Sequence, residues 1–148
     1  MACGYQALFV KSLCAGLPAF EAYRKTGMEF RRLYSEGQWL DQIGHFRRIL
    51  TGALQHAPED EIKSGGYCIH TLEASLWCLL NTRSFKECVL RAVNLGEDSD
   101  TTGCVAGGLA GVAYGLKAIP QGWRDQLART DDLRGLFDRF ADALEAMP

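Results

Sequence analysis

An acidic turn followed at once by regularly spaced glycines constrains this chain more than any other feature. Residues 94–103 read NLGEDSDTTG, and Gly103, Gly107, Gly111 and Gly115 then recur at every fourth position. On a helix these four positions form one stripe without side chains. Each interior glycine costs about 0.5–1 kcal/mol relative to alanine, so the stripe needs a structural reason. We expect a helix whose glycine face packs closely against a neighbouring backbone.

The acidic turn itself allows two interpretations. Asp98, Asp100 and Thr101 place three oxygen donors at the start of the predicted helix, where free N–H groups and the helix dipole favour a capping carboxylate. The same donors suit a hard divalent cation such as Mg²⁺, Mn²⁺ or Ca²⁺. An EF-hand loop is excluded, because its twelfth position requires a bidentate Glu and Leu109 stands there. The residues alone leave capping and metal binding both open.

Composition is that of a globular protein and narrows the class of function. The 148 residues are 47% hydrophobic and 23% charged, which predicts a single domain over residues 1–148. A net charge of −2 argues against nucleic acid as a partner. No apolar run approaches the roughly 18–20 residues of a membrane span. The six cysteines contain no C-x-x-C pair, so we expect reduced, mostly buried thiols in a cytoplasmic protein without zinc.

Apolar periodicity predicts an all-α fold of about seven helices. The predicted helices cover 5–15, 18–34, 38–55, 67–80, 84–95, 98–117 and a C-terminal segment from Leu133 to Leu144. Ser84 and Glu87 form the capping-box pattern at the start of the fifth helix. The C-terminal helix carries an apolar stripe, and we expect it to be docked. No segment alternates with period two for long enough to predict a strand.

From Ser64 to Gly115 the chain resembles the ADP-ribosylglycohydrolases, especially the type that removes ADP-ribose from dinitrogen reductase. The matching stretches read SGGYCIHTLEASLWCLL and SFKECVLRAVNLGEDSDTTGCVAGGLAGVAYG. Weaker similarity in the flanking segments makes nearly the whole chain similar to the C-terminal half of that family. The resemblance implies an all-α fold and hydrolysis of the N-glycosidic bond between ADP-ribose and a modified protein side chain. It also implies a pair of Mg²⁺ or Mn²⁺ ions as cofactors.

The resemblance assigns residues to two roles. The implied metal ligands are Asp98, Asp100 and Thr101, and the implied residues of the ADP-ribose pocket are Gly65, Gly66 and Tyr67. His70 stands where related enzymes often carry an acidic residue, and no residue is assigned to catalysis. With the resemblance, metal binding becomes the favoured interpretation of the acidic turn.

One family motif is missing from this sequence. Family members supply a Thr-Asp-Asp motif in their early half, and nothing before Ser64 matches it. The triplet Thr130-Asp131-Asp132 follows the acidic turn and starts a terminal helix, so we interpret it as a coincidence. Two octahedral ions need on the order of twelve ligand positions. We therefore expect an incomplete metal centre in this chain alone.

Three functional hypotheses follow. The first is an ADP-ribosylglycohydrolase part that acts on an ADP-ribosylated protein together with a complementary N-terminal half. The second is a non-catalytic, truncated homologue that binds ADP-ribose or a protein partner. The third is a structural helical protein whose aspartates only cap a helix. Half of a helical domain exposes apolar surface, so we also expect a homo-oligomer.

Overall fold

The computed structural model describes residues 1–147 and divides into two compact units, one of residues Met1–Ala118 and one that begins at Ile119. The first unit contains α1 (Ala2–Cys14), α2 (Ala19–Tyr34), α3 (Leu40–Ile43), α4 (Arg47–Leu50), α5 (Cys68–Leu80), α6 (Phe85–Asn94) and α7 (Ser99–Tyr114). The second contains α8 (Gln121–Asp125) and α9 (Thr130–Glu145). No strand occurs within residues 1–147, so the prediction of an all-α fold is confirmed.

Helix α5 is the centre of the first unit. Ten of its thirteen residues are buried, because α1, α2, α6 and α7 all contact it. A helix that is apolar on nearly all sides requires neighbours on all sides. Its bounds agree with the predicted helix over 67–80, and α6 and α7 pack both on α5 and on each other. Helix α5 therefore fixes where the segments before and after it, which carry the candidate site, can lie.

An aromatic cluster joins α1 and α2 to the segment that follows them. Phe30 lies at its centre, with ring centroids 5.3 Å from Tyr5 and 4.8 Å from Phe46. All three side chains are buried, at 2% exposure or less. Buried aromatic pairs at this spacing add about 0.5–1.5 kcal/mol beyond their area burial. The cluster holds the first two helices against the rest of this unit.

The predicted single helix over 38–55 is wrong. The structure divides this segment into α3, α4 and short 3₁₀ turns at Gly37–Trp39, Gly44–Phe46 and Ala53–His56. Gly52 has φ +79°, a conformation that ends a right-handed helix, and Gly44 weakens the middle of the segment. The buried apolar residues of this segment are Phe46, Ile49 and Leu54, whereas Trp39 and Leu40 are exposed.

The start of α6 confirms the predicted cap with one difference. The amide of Glu87 donates to the Ser84 hydroxyl oxygen at 3.2 Å. In a full capping box the Glu87 carboxylate would accept the amide of Ser84. Here it accepts the amide of Arg83 at 3.0 Å instead, one residue earlier. The bond to Ser84 satisfies an amide that the helix leaves free, so the sequence pattern marks the start of α6 correctly.

The glycine stripe of α7 is tight at one position only. A Cβ on Gly103 would lie 2.8 Å from Val93 Cγ1 of α6, closer than real side chains approach. A Cβ on Gly107 would meet Val89 at an ordinary 3.6 Å. A Cβ on Gly108 or Gly111 would have no neighbouring side chain or other helix within 4 Å. The glycine face therefore packs closely at Gly103, but against the Val93 side chain of α6 and not against a backbone as expected.

The second unit does not bury the apolar stripe of its own helix α9, and the predicted docking of this helix stays a prediction. No residue of α9 is buried, and Leu136, Phe137 and Phe140 are all more than half exposed. A unit of two helices has too little surface to cover such a face by itself.

Among residues 1–147, none of the helices combines the length and the apolar character that a membrane span needs.

The cysteines differ from the sequence expectation of mostly buried thiols. Cys3, Cys14, Cys68 and Cys104 are exposed, and only Cys78 and Cys88 are buried, at the contact of α5, α6 and α7. Burial raises the pKa of Cys78 to about 12 and that of Cys88 to about 11. The thiolate is the reactive form, so these two thiols are unreactive near neutral pH.

We predict that Gly103→Ala lowers the free energy of unfolding by about 1–3 kcal/mol, because the new methyl group overlaps the stiff Val93 side chain. The control is Gly108→Ala in the same helix, which meets no neighbour and should raise the free energy by about 0.5–1 kcal/mol. Denaturant unfolding followed by circular dichroism measures both. Equal effects of the two substitutions would contradict the packing of α6 on α7.

We also predict two kinetic classes of thiol in the native protein at pH 8. Four cysteines should react rapidly with an aromatic disulfide reagent, while Cys78 and Cys88 should react only on unfolding, since burial suppresses their thiolates. Mass spectrometry of the labelled peptides identifies each class. Rapid labelling of Cys88 would show that α6 and α7 separate readily.

Candidate metal and ADP-ribose site

The acidic turn lies between α6 and α7 and depends on two residues with positive φ. Gly96 has φ +82° and Glu97 has φ +48°. Glycine adopts this region freely, whereas another L-residue pays roughly 1–2 kcal/mol there. The two residues reverse the chain after α6 and bring Asp98 to the N-terminus of α7. A non-glycine residue held in this conformation is typical of a constrained, often functional, turn.

Asp98 occupies the N-cap position of α7. Its side chain forms no capping hydrogen bond of normal geometry. Hydrogen bonding from the Thr101 hydroxyl lowers the pKa of the Asp98 carboxyl, and the Thr101 amide contributes in the same direction. Two of the three implied metal ligands, Asp98 and Thr101, therefore interact. The carboxylate of Asp98 stays ionised.

The glycine loop lies directly beside this turn. A Cβ on Gly65 would lie 2.8 Å from Glu97 Oε2, and one on Gly66 would lie 3.2 Å from Asp98 Oδ2. The amide of Asp98 also donates to the carbonyl of Ser64 at 3.2 Å. The structure thus brings together two stretches that the sequence assigns to substrate and to metal. A side chain at either loop position would require the Glu97 or Asp98 carboxylate to shift.

Tyr67 and His70 flank the same loop. Tyr67 is the N-cap of α5 and is 48% exposed. The His70 ring lies edge-on to it, with centroids 5.2 Å apart and an interplanar angle of 88°. Tyr67 therefore presents an open aromatic surface next to Gly65 and Gly66, a common way to hold a flat ring of a ligand.

The carboxylates of the turn lack basic neighbours. Glu97, Asp98 and Asp100 form no ion pair in the part of the chain that the structure describes. Close like charges repel, so such a cluster favours a bound cation. Over residues 1–147, however, no group of three or more His, Cys, Asp or Glu side chains could hold a metal ion. Two carboxylates and a hydroxyl fit part of the shell of a hard cation.

The Thr130-Asp131-Asp132 triplet has a separate explanation. Asp132 pairs with Arg129 at 2.8 Å, and Asp131 lies 4.0 Å from Arg134. These are exposed pairs within one turn of α9. The local pairing agrees with our interpretation of the triplet as a coincidence.

Two residues near the turn escaped the sequence analysis. Ser64 is buried and binds the turn through its hydroxyl and its carbonyl. Thr102 is fully buried one residue beyond the implied ligands, and its hydroxyl donates to the Ser64 carbonyl at 3.4 Å. A small hydroxyl residue directly before a Gly-Gly pair was the only signal in the sequence.

Comparison with known proteins now decides the family. The family model described as ADP-ribosylglycohydrolase matches residues 1–147. The chain belongs to the ADP-ribosylglycohydrolase family. A solved structure titled "ADP-ribosylglycohydrolase-related protein complex" matches with a TM-score of 0.74 and 33% sequence identity over 91% of this chain. This chain covers 44% of that structure, so the family's fold is present only in part.

Curated ADP-ribosylglycohydrolase relatives are also much longer than the matched region. The ADP-ribosylarginine hydrolase Tri1 of Serratia proteamaculans is 38% identical over 92 residues, which are 62% of this chain and 25% of Tri1. The ADP-ribosyl-[dinitrogen reductase] glycohydrolase of Rhodospirillum rubrum is 43% identical over 65 residues, 44% of this chain and 22% of that protein. The predicted resemblance to the family is confirmed.

We predict that Glu97→Gly raises the free energy of unfolding by up to about 1 kcal/mol, because glycine relieves the positive φ of this position. As a control, Lys25→Gly within α2 should lower it by about 1 kcal/mol, since that residue has an ordinary helical conformation. Thermal and denaturant unfolding measure both. A destabilised Glu97→Gly protein would mean that the Glu97 side chain contributes more than its backbone costs.

Proposed function

We propose that this chain supplies the late half of an ADP-ribosylglycohydrolase active site, in which a divalent cation and ADP-ribose bind side by side. The juxtaposition of the Gly65-Gly66 loop with Asp98 supports the proposal most directly. The two stretches are far apart in the sequence, and capping of α7 alone does not require them to meet. Membership of the family gives the ligand its chemical class.

In this proposal Asp98, Asp100 and Thr101 bind the cation. Two carboxylates and a hydroxyl are hard donors, which suit Mg²⁺ or Mn²⁺ and leave positions for water or for further protein ligands. The lowered pKa of Asp98 keeps its carboxylate ready to bind. Such an ion, when bound, supplies orientation of the ribose hydroxyls and polarisation of water.

The glycine loop would hold the nucleotide part of the substrate. Without side chains, Gly65 and Gly66 let a phosphate or ribose approach the backbone and its N–H donors. The exposed ring of Tyr67 lies next to them and offers an apolar face to a base or sugar. The bond to be hydrolysed is the N-glycosidic bond between ADP-ribose and a protein side chain. The name of Tri1 suggests arginine as that side chain.

The missing ligands would come from a complementary N-terminal half, either in a separate chain or in a longer parent of this chain. The described residues offer fewer than three metal-binding acidic, histidine or cysteine side chains in one place. A complementary N-terminal half with its own carboxylates would complete the centre and make the assembly an enzyme. Self-association to a homo-oligomer and a cytoplasmic location remain part of the same proposal.

A second candidate function is a non-catalytic module that binds ADP-ribose or a protein. The incomplete donor set favours it, because the glycine loop and Tyr67 do not depend on a full metal centre. The two candidates differ in the metal response of the isolated chain. If the chain is a non-catalytic module, its affinity for ADP-ribose should not depend on Mn²⁺.

We predict saturable Mn²⁺ binding by the isolated chain in calorimetry, stronger when ADP-ribose is present. Asp100→Asn removes a ligand and should weaken binding by more than about 100-fold, beyond the 10–100-fold typical of supporting residues. The control Asp60→Asn alters an exposed carboxylate in the Glu59–Glu61 turn and should bind normally. Equal binding by both variants would refute the assignment of Asp100. ADP-ribose binding without any Mn²⁺ response would favour the module.

A further inference from the structure

Ser64 holds the acidic turn with both its side-chain hydroxyl and its backbone carbonyl. Its hydroxyl donates towards the carbonyls of Gly96 at 3.1 Å and Leu95 at 3.4 Å. Its carbonyl accepts the amide of Asp98 at 3.2 Å. The side chain is 1% exposed, so water does not compete for these bonds. One residue thus contacts the turn on both sides of Glu97.

The same carbonyl receives a second donor that anchors the network in the core. The hydroxyl of Thr102 donates to Ser64 O at 3.4 Å, and the carbonyl of Thr102 accepts the Ser75 hydroxyl of α5 at 3.4 Å. Thr102 and Ser75 are both fully buried. The network therefore runs from the central helix through α7 to the start of the glycine loop. Buried networks in which each member has a partner are stiff and sensitive to deletion.

These bonds fix the orientation of the peptide group that joins Ser64 to Gly65. Two donors, the Asp98 amide and the Thr102 hydroxyl, converge on its carbonyl oxygen. A shift of the Asp98 backbone would therefore turn this peptide and move Gly65. In the other direction, a group bound on the loop would displace the carbonyl that positions Asp98.

We infer that Ser64 is a positioning residue that couples the two parts of the site, so that a divalent cation on the acidic turn and ADP-ribose on the glycine loop bind cooperatively. This inference rests on the proposed function. Ser64 touches neither ligand, and it acts by fixing the distance between Gly66 and the Asp98 carboxylate. Residues that support metal ligands in this way commonly change metal affinity by about 10–100-fold.

A purely structural role for Ser64 makes a different prediction. Loss of a buried hydroxyl that only stabilises the fold would lower stability without changing the effect of one ligand on the other. Ser84 provides a matched control, because its hydroxyl also holds a turn of backbone, at the end of α6 away from the acidic turn. Ser84→Ala should lower stability through loss of the cap.

The test compares Ser64→Ala with wild type and Ser84→Ala in Mn²⁺ calorimetry, with and without ADP-ribose. We expect Ser64→Ala to weaken Mn²⁺ binding by about 10–100-fold and to remove the enhancement by ADP-ribose, while Ser84→Ala keeps both. Amide hydrogen exchange should also be faster at Asp98 in Ser64→Ala and unchanged there in Ser84→Ala. Both results together support the inference.

A second pair of variants covers the case in which Ser64→Ala folds poorly. Thr102→Val keeps the shape and removes the hydroxyl that binds Ser64 O, whereas Thr102→Ser keeps the hydroxyl. We expect Thr102→Val to reduce the enhancement of Mn²⁺ binding by ADP-ribose, and Thr102→Ser to retain this enhancement. Wild-type coupling in Ser64→Ala or in Thr102→Val would overturn the inference and leave the proposed function standing. A wild-type chain that binds no Mn²⁺ would refute both.

Discussion

The burial of α5 is the constraint on which the rest of the first unit depends. A helix that is apolar on nearly every side must be enclosed, and α1, α2, α6 and α7 enclose it. Even Glu73 is buried there, and burial raises its pKa although Arg48 and Lys63 oppose the shift. Because the glycine loop leads directly into α5 and the acidic turn leads into α7, packing of α7 on α5 brings the two together.

The close approach of α7 to α6, and of the glycine loop to the acidic turn, affects both the residues and the geometry of the site. Gly103 permits the tight contact of α7 with α6, and Gly65 and Gly66 make room for Glu97 and Asp98. Gly96 reverses the chain between them. Gly103 meets a specific steric demand of the Val93 side chain, whereas Gly108 and Gly111 meet none. The donors remain exposed enough to meet a ligand, while the residues behind them are buried.

Local patterns predicted the parts of this structure that depend on local interactions. The helical class, α5, the start of α6 and the acidic turn all follow from spacing and capping residues. The break of segment 38–55 was missed because apolar periodicity does not reveal the backbone conformation of Gly52. The role of Ser64 was missed because its partners lie 31 to 38 residues away. The assignment of the metal ligands came from the family resemblance, since the residues alone also allowed helix capping.

The exposed thiols have a consequence for how this protein behaves in air. Cys3, Cys14, Cys68 and Cys104 are accessible, and accessible thiols oxidise to intermolecular disulfides when no reductant is present. Covalent dimers formed in this way would imitate a native assembly in any measurement of mass. The oligomeric state of the chain is therefore meaningful only under reducing conditions, or after the four surface cysteines have been replaced by serine.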